Sequence, residues 1–405
     1  MSFMKRFILL LTLATIGLPN TFAQNETGFI GNGYYRIKNF VTERYIYVTD
    51  NKDYYDKSHD KEDFQAIQLW KDISQAVFNP ASVIYIELIS GTNDNGSFDL
   101  KAQNTGVHAL TGYYVNVRKQ RDGTYEVSAS AHGVTKYLSD DEYSSSALGM
   151  MGTGSTGSYR RWTVDKITTD HASNYVGIKP TIELGGLYYA PYYVSYPFKA
   201  ASPGMNIYYV DKVVSHYATL KKIEGEVPGG TPVLIECTSN DPSQNRLELL
   251  ASSSAKASDN LLKGVFFCNG KRPAESVDAY TKFDAATMRV FDVVDGKLVL
   301  TDTPQAERIT SLSTGKIFDP ETFKYKDVYS DCLTANTSYL TANAETASEL
   351  LVVLPGMGIN DVKKGSNPMT AGVYSLSGTQ LRQTNDLEGL PAGLYIVGGK
   401  KTVIK

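Results

Sequence analysis

The stretch GYYRIKNFVTERYIYVTD, residues 33–50, followed by a charged loop and by AIQLW at 66–70, decides how the first part of this chain is read. Tyr35 and Ile37 alternate with Arg36 and Lys38, and Tyr45 and Tyr47 alternate with Ile46 and Val48. Such period-two alternation marks half-buried strands, because successive side chains of a strand point to opposite faces. The unit of strand, turn, strand, loop and strand closes on Trp70 and recurs twice with variations. From Val83 the chain reads VIYIEL, SFDLKAQN and GYYVNVRK; from Thr124 it reads TYEVSA, KYLSDD and RRWTVDKI, closing on Trp162. Three imperfect copies predict a threefold β domain over residues 27–168, with turns at Asn95-Gly96 and Asp122-Gly123, dipeptides that tolerate the positive φ of tight hairpins.

The pattern continues beyond these copies. LYYAPYYVSYPF and NIYYVDKV lead into Val227-Pro228-Gly229-Gly230 and TPVLIECTS, and then into NLLKGVFFCNG, MRVFDVVDGKLVL and SYLTAN. These segments are β-branched or aromatic and bounded by Gly, Pro, Asn or Asp, which predicts an antiparallel β-sandwich over residues 174–355. A linker, 356–370, separates it from a last β module, 371–405. The fold class expected is therefore all-β. A chain of 405 residues needs two or three domains, since a single core stops growing at about 250–300 residues. The 28 Tyr fit this class, because tyrosine favours strands and offers a ring that packs in a core or faces a ligand. The cluster Tyr188, Tyr189, Tyr192, Tyr193 and Tyr196 is either a contact surface or a strand with half its rings in the core.

A net charge of −3 leaves no basic footprint for nucleic acid or an anionic membrane. Lys5 and Arg6 precede an apolar run from Phe7 to Leu18, and Thr21-Phe22-Ala23 supplies small residues where a signal peptidase reads. Residues 1–23 are thus expected to be a cleaved secretory signal peptide, which places the mature chain outside the cytoplasm. No apolar run elsewhere is long enough for a transmembrane segment. Cys237, Cys268 and Cys332 are odd in number and far apart, which is neither a disulfide framework nor a metal-ligand spacing.

Candidate chemistry is sparse. His59, His108, His132, His171 and His216 fall in no metal-ligand motif, and no Gly-x-Ser-x-Gly elbow sits in a strand-to-helix context. No catalytic residue, metal ligand or cofactor is assigned. The acidic loop of Asp50, Asp53, Asp56, Asp60 and Asp63 offers oxygens that suit calcium, but it lacks the EF-hand glycine and terminal glutamate, and Lys52, Lys57 and Lys61 offset it; a solvated loop is the reading. Gly152-x-Gly154-x-x-Gly157 lies in the small-residue run Ser144 to Ser158 with no βαβ unit around it, and is read as a surface loop.

Three resemblances give this organisation a name. GYYRIKN, RYIYVTD, Gln68-Leu69-Trp70 and RRWTVDKI resemble the repeats of ricin-B-type β-trefoil lectins; the first copy carries the Gln-x-Trp that closes such repeats, the second has no Trp, and the third has Arg160-Arg161-Trp162. The resemblance implies a β-trefoil whose shallow pockets take glycans. Tyr47, Asp50 and Gln68 of the first copy and Tyr113 of the second are the candidate ligand-binding residues, a ring stacking on a sugar beside a carboxylate or amide that bonds its hydroxyls. EVPGGTPVLIE, NLLKG, VDGKLVL and LTANTSYL resemble a domain common in exported Bacteroidetes proteins. The terminal run AGVYSLSGTQLRQTNDLEGLPAGLYIVGGKKTVIK resembles the C-terminal sorting module of type IX secretion, which implies the secretion machinery as a partner and release to, or fixation on, the outer surface. The function expected is a secreted non-catalytic surface protein that binds glycans or host or matrix ligands. The alternatives are a structural or protein-interaction module and a hydrolase with an unrecognised site.

Overall fold

The computed structural model describes residues 28–49, 66–70, 73–104, 114–131, 134–140, 157–265, 281–355, 372–375, 380–382, 384, 386–397 and 400–404. The expected signal peptide, the acidic loop, the linker and Cys268 lie outside them.

The first body is built on nine strands among the described residues: β1 (Gly33–Asn39), β2 (Tyr45–Thr49), β3 (Ala66–Trp70), β4 (Ile84–Thr92), β5 (Asn95–Ala102), β6 (Val115–Lys119), β7 (Tyr125–Ala131), β8 (Val134–Tyr137) and β9 (Trp162–Lys166). Six of them, β1, β4, β5, β6, β7 and β9, close a ring, because β9 pairs with both β7 and β1. Every pairing in the ring is antiparallel, and the closing register sets Asn39 opposite Trp162 and Trp162 opposite Tyr125. A closed barrel leaves no exposed edge among its ring strands. Inside it pack Tyr35, Ile37, Ile84, Ile86, Phe98, Leu100, Val117, Tyr125, Val127 and Trp162, each buried to 2% exposure or less. These are the alternate positions that the strand pattern marks as inward. Trp162 is fully enclosed and its indole Nε1 donates to the Leu138 carbonyl at 3.0 Å.

Two local expectations shift. The hairpin between β4 and β5 turns at Asn93-Asp94, while Asn95 and Gly96 lie within β5 opposite Thr92 and Gly91. Gly91, at φ 90, relieves the close approach there, where a Cβ would come within 2.7 Å of Gly96. β1 is not half-buried either. Arg36, on the face expected to meet water, is fully buried, because residues 73–83 and the segment around Asn174 lie against that side.

Among the described residues of the second region, a four-stranded sheet joins Val176–Gly177, Arg246–Leu249, Phe198–Ala200 and Glu226–Val227. A ten-stranded sheet has Val233–Cys237 between Leu187–Tyr192 and Asn206–Val214. Val233–Cys237, buried at every position, follows the Pro228-Gly229-Gly230 turn as expected. The expectation of a purely antiparallel arrangement is corrected at one place: Tyr217–Lys222 and Glu349–Val353 pair in parallel. A parallel neighbour needs a long crossover, and residues 223–348 supply one, adding Val233–Cys237, Met288–Val294 and Lys297–Thr301 to the same sheet on the way. The tyrosine cluster resolves to core. Tyr189, Tyr192 and Tyr196 are 2%, 7% and 0% exposed, so the contact-surface reading falls for them. Tyr192 and Tyr196 share a hydroxyl–hydroxyl hydrogen bond of 2.8 Å.

The two bodies share apolar packing. Tyr34, Val83 and Ile167 of the first lie in one cluster with Val176, Val194, Tyr196 and Phe198 of the second. Two elements stand apart from these sheets. Ile309–Asp319 and Lys324–Leu333 pair with each other as a two-stranded sheet, and the second strand also meets residues 281–283 through a bridge between Lys282 and Cys332. Val373–Tyr374, Gln380–Arg382, Gly393–Val397 and Lys400–Ile404 form a four-stranded antiparallel sheet, its longest strand pair entered through the expected Pro391-Ala392-Gly393 turn.

Candidate functional site

The hairpin β2–β3 leaves the barrel at a corner that the sequence builds from short polar residues. The Asn39 side-chain oxygen accepts from the amides of Val41 at 2.9 Å and Thr42 at 3.1 Å, and its side-chain amide donates to the Tyr159 carbonyl at 2.9 Å. This is the local turn chemistry for which asparagine is favoured. Arg44 then forms an ion pair with Asp140, its Nε donating to Oδ2 at 2.8 Å, and the Thr42 hydroxyl donates to the same carboxylate. Asp140 is 1% exposed. A buried carboxylate paired to a guanidinium and a hydroxyl is held in one geometry, so the base of the hairpin is fixed to the barrel.

Along the hairpin the antiparallel register sets Tyr47 opposite Gln68 and Tyr45 opposite Trp70. Two of the four candidate ligand-binding residues are therefore directly facing backbone partners, brought together across the loop between them. Asp50 and Tyr113 lie outside the described residues. β2 is tied back to β1 through Lys38 opposite Tyr45, with the Lys38 ammonium 5.8 Å from the Tyr45 ring centroid. Burial pushes the Tyr45 phenol up, with Asp165 adding to it. Burial also pushes the Asp165 carboxyl up, against the pull of Lys38 and His171.

Behind the hairpin sits a group that the sequence reading missed. Arg36 Nε donates to Ser82 Oγ at 2.9 Å, Nη1 to Asn174 Oδ1 at 2.6 Å and Nη2 to the Ala76 carbonyl at 3.0 Å. Burial pushes its guanidinium down to about 10. Asn174 in turn donates to the Asp165 and Lys166 carbonyls, and its backbone amide donates to His171 Nδ1 at 2.8 Å. His171 thus orders a loop. No sequence signal singles out Arg36, whose alternation matches that of an ordinary exposed strand cation.

Among the described residues, clefts open elsewhere as well. One, of 610 Å³, is lined by hydroxyl and amide groups including Thr169, Ser202, Thr238, Ser243 and Gln244, with Arg246. The Arg246 guanidinium stacks 4.0 Å from the Tyr175 ring centroid and donates to the Thr169, His171 and Ser243 carbonyls, so it organises the wall. Another, of 350 Å³, lies between the two bodies, with Phe78 and Asn79 on one side and Lys179, Tyr192 and Asn336 on the other. Neither lining contains an acid, a histidine or a cysteine. Among the described residues no three His, Cys, Asp or Glu side chains converge as metal ligands. Cys237 and Cys332 are buried, and burial pushes the Cys237 thiol up to about 12. Among the described residues no helix is long and apolar enough to cross a membrane.

With this geometry in hand, comparison with known proteins adds little. No family model and no curated protein matches the chain. One solved structure, described as "Structure and mode of action of a mosquitocidal holotoxin", is similar at 10% identity and a TM-score of 0.25 over 77% of this chain. The match spans 34% of that protein, about a third of its length. A likeness that slight carries neither a fold nor a function to this chain.

Proposed function

We propose that this chain is an exported, non-catalytic surface protein that binds glycans through its barrel, and that the barrel is a β-trefoil. The observation that carries the reading is the closed six-strand ring with the hairpin β2–β3 standing off β1 and setting Tyr47 opposite Gln68. A ring of barrel strands with hairpins across its end is what a trefoil requires. A ring that stacks and an amide that bonds hydroxyls are the group types a sugar site uses. A neutral-glycan array probed with the full chain tests this. Tyr47→Ala and Gln68→Ala are each expected to lower binding of the retained glycan at least tenfold, about 1.4 kcal/mol. Binding unchanged in both variants refutes the barrel site.

Localisation is part of the same proposal. The terminal run from Gly372 to Lys405 is a sorting module for type IX secretion, and the preceding sandwich-like region is a spacer carried with the barrel to the outer surface. Support comes from the separate four-stranded sheet of the terminal run, which pairs with no strand of the other sheets among the described residues. Removing residues 372–405 is expected to leave the protein in the periplasm, read by fractionation and surface proteolysis. Undiminished surface display of the truncated chain ends the sorting role.

A further inference from the structure

The paired strands Ile309–Asp319 and Lys324–Leu333 form an arm. Its base is seated, with Cys332 and Leu333 buried and Lys282 bridged to Cys332. Beyond the base it is open: among the described side chains from Lys316 to Tyr329, all are exposed except that of Asp319. Register sorts them into two faces, because directly opposite residues of an antiparallel pair share a face. Phe318 is opposite Tyr325 and Lys316 is opposite Asp327, and alternation along the second strand adds Tyr329 to that face. Ile317, Lys326 and Val328 belong to the other face.

The first face is therefore a strip of rings interrupted by one ammonium and one carboxylate. Phe323 joins it, with its ring centroid 6.3 Å from that of Phe318, which lies 5.5 Å from that of Tyr325. Phe323, Tyr325 and Tyr329 are 82%, 70% and 64% exposed. Phe323 also holds φ 54, a conformation that costs a bulky residue energy. Exposed rings of this number need an occupant.

The chemistry of the strip selects one. From Lys316 to Asp327 the arm carries three lysines against Asp319, Glu321 and Asp327, so it has no net charge with which to draw nucleic acid or an anionic surface. Asp319 and Glu321 lie at its leading end, where entry into a bilayer would bury them at high cost. Lys316 and Asp327 sit among the rings of this face, whereas a protein-docking interface is depleted in lysine and aspartate. Rings alternating with a hydrogen-bonding pair on a neutral ribbon suit an uncharged polyhydroxyl chain.

We propose that this face of the arm is a second carbohydrate-binding surface, on which a neutral polysaccharide lies along the ribbon. Phe323, Tyr325 and Tyr329 stack on sugar rings, and Lys316 and Asp327 bond the hydroxyls between them. Tyr325 and Tyr329, four residues apart on one strand, stand ~13 Å apart, so the surface spans several sugar units. The inference rests on the glycan-binding reading given above and adds a distinct site and a polymeric substrate class.

The test uses the full chain with suspended cellulose, chitin and β-1,3-glucan in co-sedimentation, and short neutral oligosaccharides on an array. The double variant Tyr325→Ala/Tyr329→Ala is expected to lose at least tenfold in affinity for the polymer and to change little with the short ligands, while Tyr325→Phe/Tyr329→Phe stays near wild type. All four substitutions are at exposed positions, and an unchanged melting curve confirms the fold. Polymer binding untouched by the double variant overturns the arm site, and if Tyr47→Ala or Gln68→Ala then abolishes binding, the barrel reading stands alone. Loss confined to the arm variants upholds the arm and removes the barrel site. Failure of wild type to retain any of these glycans, self-association that the double variant abolishes, or binding to phosphatidylcholine vesicles each overturns the proposal.

Discussion

Arg36→Ala is expected to destabilise the fold by about 2–5 kcal/mol, read by urea unfolding. Two opposing effects set that figure. The buried guanidinium is costly: burial holds its pKa down to about 10, well below its ordinary value, a desolvation cost of about 3 kcal/mol that truncation removes. Against this, truncation strands the Asn174 side-chain oxygen and removes one donor each from Ser82 Oγ and the Ala76 carbonyl, which stay bonded to each other, in a site with no exposure at Arg36 or Ser82. The stranded acceptor costs about 1–3 kcal/mol and each of the other lost bonds about 1 kcal/mol, and the cavity left by the largest side chain on β1 adds about 2 kcal/mol or more. The losses win. Arg36→Met fills most of the volume and removes the same donors, so it should fall between alanine and wild type. Unfolding of Arg36→Ala within about 1 kcal/mol of wild type would mean that the three hydrogen bonds do no more than offset the buried charge.

Alkaline pH should unfold the protein, starting from about pH 10. Burial raises the phenols of Tyr34, Tyr189, Tyr192, Tyr196 and Tyr208 above their ordinary value. A group whose folded pKa is raised contributes stability that is complete below its unfolded pKa and is lost as pH climbs toward the folded one. For tyrosine that loss begins near pH 10. Tyr192 and Tyr196, enclosed and bonded to each other, each cost about 1.4 kcal/mol per pH unit beyond it. Arg36 acts in the opposite sense, since a depressed cation stops penalising the fold as pH passes about 10, and it offsets one of the pair. Tyr34, Tyr189 and Tyr208, also buried, act in the same direction. Cys237, held at about 12, adds a loss from about pH 9 upward. The net expectation is a fall of at least about 4 kcal/mol at pH 11. Tyrosinate absorbance should rise in step with the loss of circular dichroism; full ionisation of the tyrosines with the fold intact would contradict the burial of these hydroxyls.

Both outcomes turn on features that no local pattern reveals. Alternation along β1 correctly separates Tyr35 and Ile37 as inward, but it says nothing of the far side, where Arg36 meets Ser82 and Asn174 from distant parts of the chain. The Tyr188 to Tyr196 run reads equally as a contact surface or a core strand, and the choice falls to core because Phe198, Val227 and Tyr34 pack over it. The Asn95-Gly96 dipeptide has the right residues for a tight turn, yet the register of β4 against β5, with its bulge between Leu88 and Ser90, puts the turn at Asn93-Asp94. The pairing of Tyr47 with Gln68 was half legible. Both residues carry the right chemistry in one unit, while their register depends on how the intervening loop closes.

The sequence by itself determined that this chain is all-β, where most strands begin, which positions of the barrel strands point inward, and that Pro228-Gly229-Gly230 leads into a buried strand. These follow from side-chain period and turn chemistry, which act over a few residues. Only the tertiary structure decided that β9 returns to close on β1, that Tyr217–Lys222 meets Glu349–Val353 in parallel, that Arg36 is buried, and that Phe323, Tyr325 and Tyr329 stand in solvent on an arm. Whether a face is core or surface depends on what arrives from elsewhere in the chain, and strand periodicity carries no record of that.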